Sequence, residues 1–210
     1  MIRLNTLLTL AASPALALLE VIQSWFARRA SLRYFRVSAA YPGYLHRGQA
    51  AAFCRYHAQR HCRGRGVDVG AGRWPFPGAH PVEDGPEENA YHLKAGDGTL
   101  DYVFSSHCLE HLEHWRDALR EWHRVLAPGG VLYLYLPHPA CAMWDPKVLP
   151  HHRWQPEPDP LADHLAGLGF EIVESSLFPD AYLSFFIVAK RPAALAVPAP
   201  CGPDARASVR

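Results

Sequence analysis

Apolar and polar positions divide the chain into short buried strands and one clearly amphipathic helix. Val67 and Val69 flank Asp68 just ahead of Gly70 and Gly72, a β-branched run that delivers backbone into a glycine turn. Leu100 to Ser105 reads as a buried strand, with Ser106, His107 and Cys108 at its C-terminal edge. Leu112, Trp115, Leu119, Trp122 and Leu126 then recur at intervals of three, four, three and four, the stripe of a helix lying on a core. On its wet face the sequence pairs Glu113 with Arg116, Asp117 with Arg120 and Glu121 with Arg124. Its Trp residues are expected in the core, and Pro128-Gly129 is expected to end it. Val131 to Leu136 is apolar on both faces, which a central parallel strand requires. A helix over 160–168 closed by Gly169, an alternating strand over 170–174 and a last strand over 182–189 complete the pattern. The expected fold class is α/β: a Rossmann-like, mostly parallel sheet with helices on both faces and an N-terminal helical extension.

The ends read differently. Pro14 to Arg29 fits a packing helix, capped by Ser13, with Leu18, Val21, Ile22, Trp25 and Phe26 on one face. Pro14 and Glu20 interrupt the apolar run well short of the about 20 residues that span a bilayer. Its basic end also admits peripheral membrane contact through residues 1–29, and Ala15-Leu16-Ala17 imitates a secretory cleavage site. Tyr34, Phe35, Tyr41, Tyr44 and His46 precede a helical stretch over 48–61. From Pro192 the chain is rich in Ala and Pro without periodicity, as disordered tails are. The expected organisation is an N-terminal extension or cap over 1–63, a core over 64–191 and a disordered tail over 192–210.

Composition narrows the function. A chain of 210 residues suits one domain, and its arginines are scattered rather than striped, so no nucleic-acid partner is expected. Cys54, Cys62, Cys108, Cys141 and Cys201 are odd in number and irregularly spaced, which fits neither a disulfide framework nor a paired zinc motif. A reducing, cytoplasmic location is expected, membrane-associated if the N-terminal helix lies on a lipid surface.

Four stretches stand in a fixed order: Gly66-Val67-Asp68-Val69-Gly70-Ala71-Gly72, then Leu100-Asp101-Tyr102-Val103-Phe104, then Leu109-Glu110-His111, then Arg124-Val125-Leu126-Ala127-Pro128-Gly129-Gly130. Together they resemble the class I S-adenosylmethionine-dependent methyltransferases, within the small-molecule methyltransferase superfamily. The resemblance covers roughly residues 65–191. It implies S-adenosylmethionine as cofactor and methyl transfer to a small molecule or a glycan or lipid precursor. It also assigns roles: Gly70 and Gly72 admit the cofactor, Asp68 bonds its amino-acid end or orders the loop, and Asn89 meets the adenine edge. At the end of a short strand over 79–84, Glu83 is placed to accept the ribose hydroxyls, with Asp84 in reserve. Ser106 and His107 fall at a strand edge where ligands bind in open α/β sheets. His107 and His138 are the candidate bases should the acceptor be a hydroxyl. The residues after Gly72 depart from the family: Arg73-Trp74-Pro75-Phe76-Pro77-Gly78 carries two prolines, so the first helix after the loop is expected to be reduced to a loop. The irregular stretch 140–160, with Trp144, His151, His152 and Trp154, is where substrate specificity is expected.

Two other readings compete. An eroded cofactor loop suits a non-catalytic binding or scaffold protein on the same fold. His107-Cys108-Leu109-Glu110-His111 spells H-x-x-E-H, a zinc-peptidase pattern to which His114 adds a further ligand. It requires both histidines on one helical face, whereas His107 comes straight off a predicted strand. No metal is therefore expected.

Overall fold

The computed structural model describes residues 50–141, 144–180 and 182–193. The expected helix over 14–29, the aromatic residues from Tyr34 to His46 and the tail beyond residue 193 lie outside the described residues.

Helix α1 (Ala50–His61) leads into β1 (Gly66–Val69), and β2 (His80–Val82), β3 (Leu100–Ser106) and β4 (Leu126–Pro137) follow. A 3-10 turn (Leu109–His111) and α2 (Trp115–Val125) separate β3 from β4, and α3 (Pro158–Gly167) precedes β5 (Glu171–Ser175) and β6 (Ser184–Lys190). The six strands form one sheet in the order β2-β1-β3-β4-β6-β5, parallel except at β6. This is the expected Rossmann-like architecture.

Two apolar layers hold it. Facing α2 and α3, Val67, Val69, Val103, Leu132 and Leu134 pack with Leu119, Trp122, Val125, Leu161 and Leu165. The Trp122 indole N–H donates to Ala90 O at 2.8 Å, so this large core side chain buries no orphan donor. Facing α1, Ala51, Cys54, Ala58 and Cys62 meet Tyr102, Phe104, Tyr133 and Tyr135. Ala50–His61, placed by the sequence in an extension, is thus a layer of the core. Its small side chains let the helix lie close over four aromatic rings.

The helical stripe is shorter than its pattern. It ends at Val125, and Leu126 is already extended, because a residue before proline resists the helical region and Ala127 precedes Pro128. Asp117–Arg120 and Glu121–Arg124 pair as expected, while the Arg116 guanidinium lies over the Trp115 ring, 4.1 Å from its centroid, rather than against Glu113.

No helix forms over 70–79. The prolines at 75 and 77 exclude one, and Phe76 fills the gap on the α1 face instead. It is 2% exposed, stacks on Phe104 at 4.5 Å and meets Tyr102 edge-on at 6.0 Å. Phe76→Ala should therefore cost about 3–5 kcal/mol of unfolding free energy, read from urea denaturation.

Candidate active site

Strand register builds the ligand edge. Val69 pairs with Val82 on one side and with Ser105 on the other, so the next residues, Gly70, Glu83 and Ser106, emerge side by side. Gly70 N–H donates to Val82 O at 2.8 Å, and the Ser105 hydroxyl donates to Val69 O at 2.9 Å, fixing the three strand ends together. Gly70 has φ of 77°, and a Cβ there would lie 2.5 Å from the Cβ of Cys108. Its bareness therefore serves packing against the turn after β3. Gly72, at φ 58°, has open space where a side chain would stand, and its N–H donates to the Glu83 carboxylate.

Asp68 sits beneath this turn. One carboxylate oxygen accepts the Phe76 N–H at 2.7 Å, while Oδ1 is buried without a hydrogen-bond partner. The Phe76 bond ties Asp68 to the loop after the glycine turn. Burial pushes its pKa up to about 7, with the Phe76 hydrogen bond opposing and Glu83 adding to the rise. Ser106 Oγ is likewise buried and unpartnered. Two orphaned polar atoms at the ends of β1 and β3, beside the open space at Gly72, fit a polar ligand bound at this edge.

Asn89 is differently employed. Its side-chain amide donates to Gly85 O at 3.1 Å and its Oδ1 accepts the Tyr91 N–H at 2.9 Å, an Asx-type closure of the acidic turn. The amide expected at an adenine edge is thus committed to its own loop.

Both candidate bases have largely buried side chains, His138 with both ring nitrogens hydrogen-bonded and His107 with one. His138 Nδ1 accepts the Ala140 N–H at 3.0 Å and Nε2 donates to Leu177 O at 3.1 Å, so neither nitrogen keeps a lone pair for substrate. His107 does stand at the β3 edge, at φ 49° with its N–H on Tyr135 O. Its side chain is only 6% exposed, with Nε2 2.9 Å from Ser184 Oγ and Nδ1 3.3 Å from Glu110 Oε1. A base must reach the proton it takes, and these rings are turned inward.

Glu110 belongs in sequence both to the Leu109-Glu110-His111 stretch and to the H-x-x-E-H pattern. Its side chain is wholly buried and both carboxylate oxygens lack an aligned hydrogen-bond donor. Burial pushes its pKa up, yet His107, His111 and His152 together outweigh that and hold it below the ordinary glutamate value. His111 Nε2 lies 3.8 Å from Glu110 Oε1. Asp180 was not foreseen. It is held by the Tyr135 hydroxyl at 2.5 Å and by the N–H groups of Tyr182 and Ser184, and burial raises its pKa despite those bonds. Phe178-Pro179-Asp180 reads in sequence as an ordinary turn, so only the fold reveals it.

A mostly parallel sheet with a glycine turn after its first strand, an acid after its second and polar groups at the end of its third defines a Rossmann-like ligand-binding protein. Residues 48–134 match the methyltransferase domain family. Solved structures share the fold. One is a complex between the Haloferax volcanii Trm112 methyltransferase activator and a methyltransferase, at 14% identity and TM-score 0.56, covering 71% of this chain and 92% of that one. Another is a Thermotoga maritima S-adenosylmethionine-dependent methyltransferase, at 16% identity and TM-score 0.53, covering 80% and 99%. A third is an Archaeoglobus fulgidus S-adenosylmethionine-dependent methyltransferase, at 19% and 0.51, covering 69% and 94%. At these identities the likeness is one of fold. No curated protein matches the chain. Among the described residues, no helix is long and apolar enough to cross a membrane.

The raised pKa of Asp68 has a testable sign. The folded chain holds a proton that the unfolded chain releases near the ordinary aspartate value, so this contribution is complete in acid and is lost as pH rises through about 7. Between about pH 5 and about pH 8 the wild type should lose roughly 2–3 kcal/mol relative to Asp68→Asn, measured by urea denaturation of both proteins.

Proposed function

We propose that this chain transfers the methyl group of S-adenosylmethionine to a small molecule or a glycan or lipid precursor. The observation that carries the reading is the convergence of Gly70, Gly72, Glu83 and Ser106 at one sheet edge, over the orphaned Oδ1 of Asp68. The cofactor supplies a methyl group already activated by its sulfonium. Glu83 accepts the ribose hydroxyls, exchanging or sharing its bond to the Gly72 N–H. Gly72 leaves room for the ligand, and Ser106 Oγ gains a partner. Asp68 keeps the loop closed through Phe76 and presents Oδ1 towards the cofactor's cationic end. Asn89 shapes the turn at the adenine side through its bonds to Gly85 and Tyr91.

The protein's contribution to the chemistry is alignment for in-line displacement. With His107 and His138 turned inward, the reading favours an acceptor that needs no base from them, such as a carboxylate or an acidic carbon. The two histidines then hold the edge: His107 joins β3 to Ser184, and His138 joins the end of β4 to Leu177. A second reading, a non-catalytic binding protein, draws support from the loop that lacks a helix and from the Gly72 N–H already held by Glu83.

Calorimetric titration with S-adenosylhomocysteine separates the two. The methyltransferase reading expects one site per chain, weakened about tenfold in Glu83→Gln, which corresponds to about 1.4 kcal/mol. Binding should stay within about twofold in His138→Gln, whose loss of main-chain hydrogen bonds lowers stability by about 1–3 kcal/mol instead. A folded wild type that binds neither this compound nor S-adenosylmethionine would favour the binding-protein reading.

A further inference from the structure

Beside the ligand edge, the 3-10 turn after β3 and the long loop after β4 bring three imidazoles together. His111, His151 and His152 each offer one ring nitrogen, and the three lie within 4.8 Å of one another. The rings are oriented by main-chain carbonyls. His152 Nδ1 bonds Trp144 O at 3.0 Å, and His111 Nδ1 bonds His151 O at 3.1 Å. A carbonyl only accepts, so in the neutral rings of His111 and His152 Nδ1 carries the proton and Nε2 the lone pair. Metal-binding histidines are commonly fixed in this way by a hydrogen bond at the other nitrogen.

A second observation points to a ligand. His152 is 2% exposed, and its Nε2 is buried without a hydrogen-bond partner. An imidazole lone pair left unpaired in the interior is costly unless something occupies the position it faces. On the same turn as His111, wholly buried Glu110 has no aligned hydrogen-bond donor on either oxygen; its Oε1 lies 3.3 Å from His107 Nδ1 and 3.8 Å from His111 Nε2. A buried carboxylate surrounded by imidazoles is a site short of positive charge.

We propose that His111, His151 and His152 bind a divalent zinc-class cation, with the Glu110 carboxylate as fourth ligand or charge partner. Three imidazole nitrogens with one carboxylate suit zinc, whereas magnesium and calcium prefer all-oxygen shells. Tetrahedral zinc holds neighbouring nitrogens about 3.4 Å apart, so the triad must draw in by roughly an ångström, through the exposed His151. The ion fastens the loop 138–157 to the turn that carries Glu110, and through Glu110 to His107 at the sheet edge. This is not the H-x-x-E-H arrangement: His107 bonds Ser184 and stays outside the donor set, and the missing ligands come from a loop forty residues downstream. The site stands apart from cofactor binding and does not depend on the proposed reaction.

The experiment is equilibrium dialysis of the purified full chain against zinc, with metal quantified by mass spectrometry and cobalt substituted for its visible spectrum. One zinc per chain and tetrahedral cobalt bands are expected. His111→Ala and His151→Ala should each weaken binding about a hundredfold. His151 is exposed, so the metal-free His151→Ala protein should remain folded, which a cooperative melting transition checks. The second group of possible ligands, His57, His61 and Glu174 on the α1 face, serves as control. The double variant His57→Ala, His61→Ala should keep the ion. A wild type that binds no zinc, or zinc that persists in folded His151→Ala and disappears in the control variant, would overturn the assignment.

Discussion

The hydrogen bond from the Phe76 N–H to the buried Asp68 carboxylate is the contact on which the ligand edge depends. A parallel sheet needs both faces covered, and α1 with its alanines and cysteines covers only part of one. Two prolines forbid a helix over the remainder. The chain instead folds a loop back and drives one phenylalanine onto Phe104, and Asp68 fixes that loop from below. The carboxyl is held where burial opposes its charge. Its Oδ2 is satisfied there, directly under the glycine turn.

The other constraint is register. Pairing of Val69 with Val82 and Ser105 leaves no freedom in which residues emerge together, so Glu83, Gly70 and Ser106 share an edge by necessity. Beyond β3 the same edge carries the turn with Glu110 and His111, to which the loop after β4 returns His151 and His152. Two neighbouring centres result: a glycine-and-acid edge suited to a nucleoside-bearing ligand, and a histidine cluster around a buried carboxylate. His107 lies between them, tied to Glu110 on one nitrogen and Ser184 on the other. It is better placed to link the two centres than to exchange protons with a substrate.

Much was legible from local pattern. The order of buried strands, the core stripe of Leu119 and Trp122 and the loss of a helix after Gly72 follow from side-chain periodicity and from proline's missing N–H. So does the acid at the end of β2, because strand ends are marked by where alternation stops. These signals act within a few residues, and a single sequence carries them in full.

What the sequence could not state is which partners a side chain meets across the fold. His107, His138 and Asn89 have the right types at the right strand edges and loops. Only tertiary contacts with Ser184 and Leu177 engage the two histidines, while the Asn89 amide is taken up within its own turn by Gly85 and Tyr91. Conversely, His151 and His152 look like residues of an irregular loop until that loop closes on His111 and buries His152. The sequence by itself determined the strands, the glycine turn and the missing helix, because periodicity and backbone restriction are local. The tertiary structure alone decided which polar atoms are paired and which are left orphaned, because hydrogen-bond partners and burial are set by residues distant in the chain.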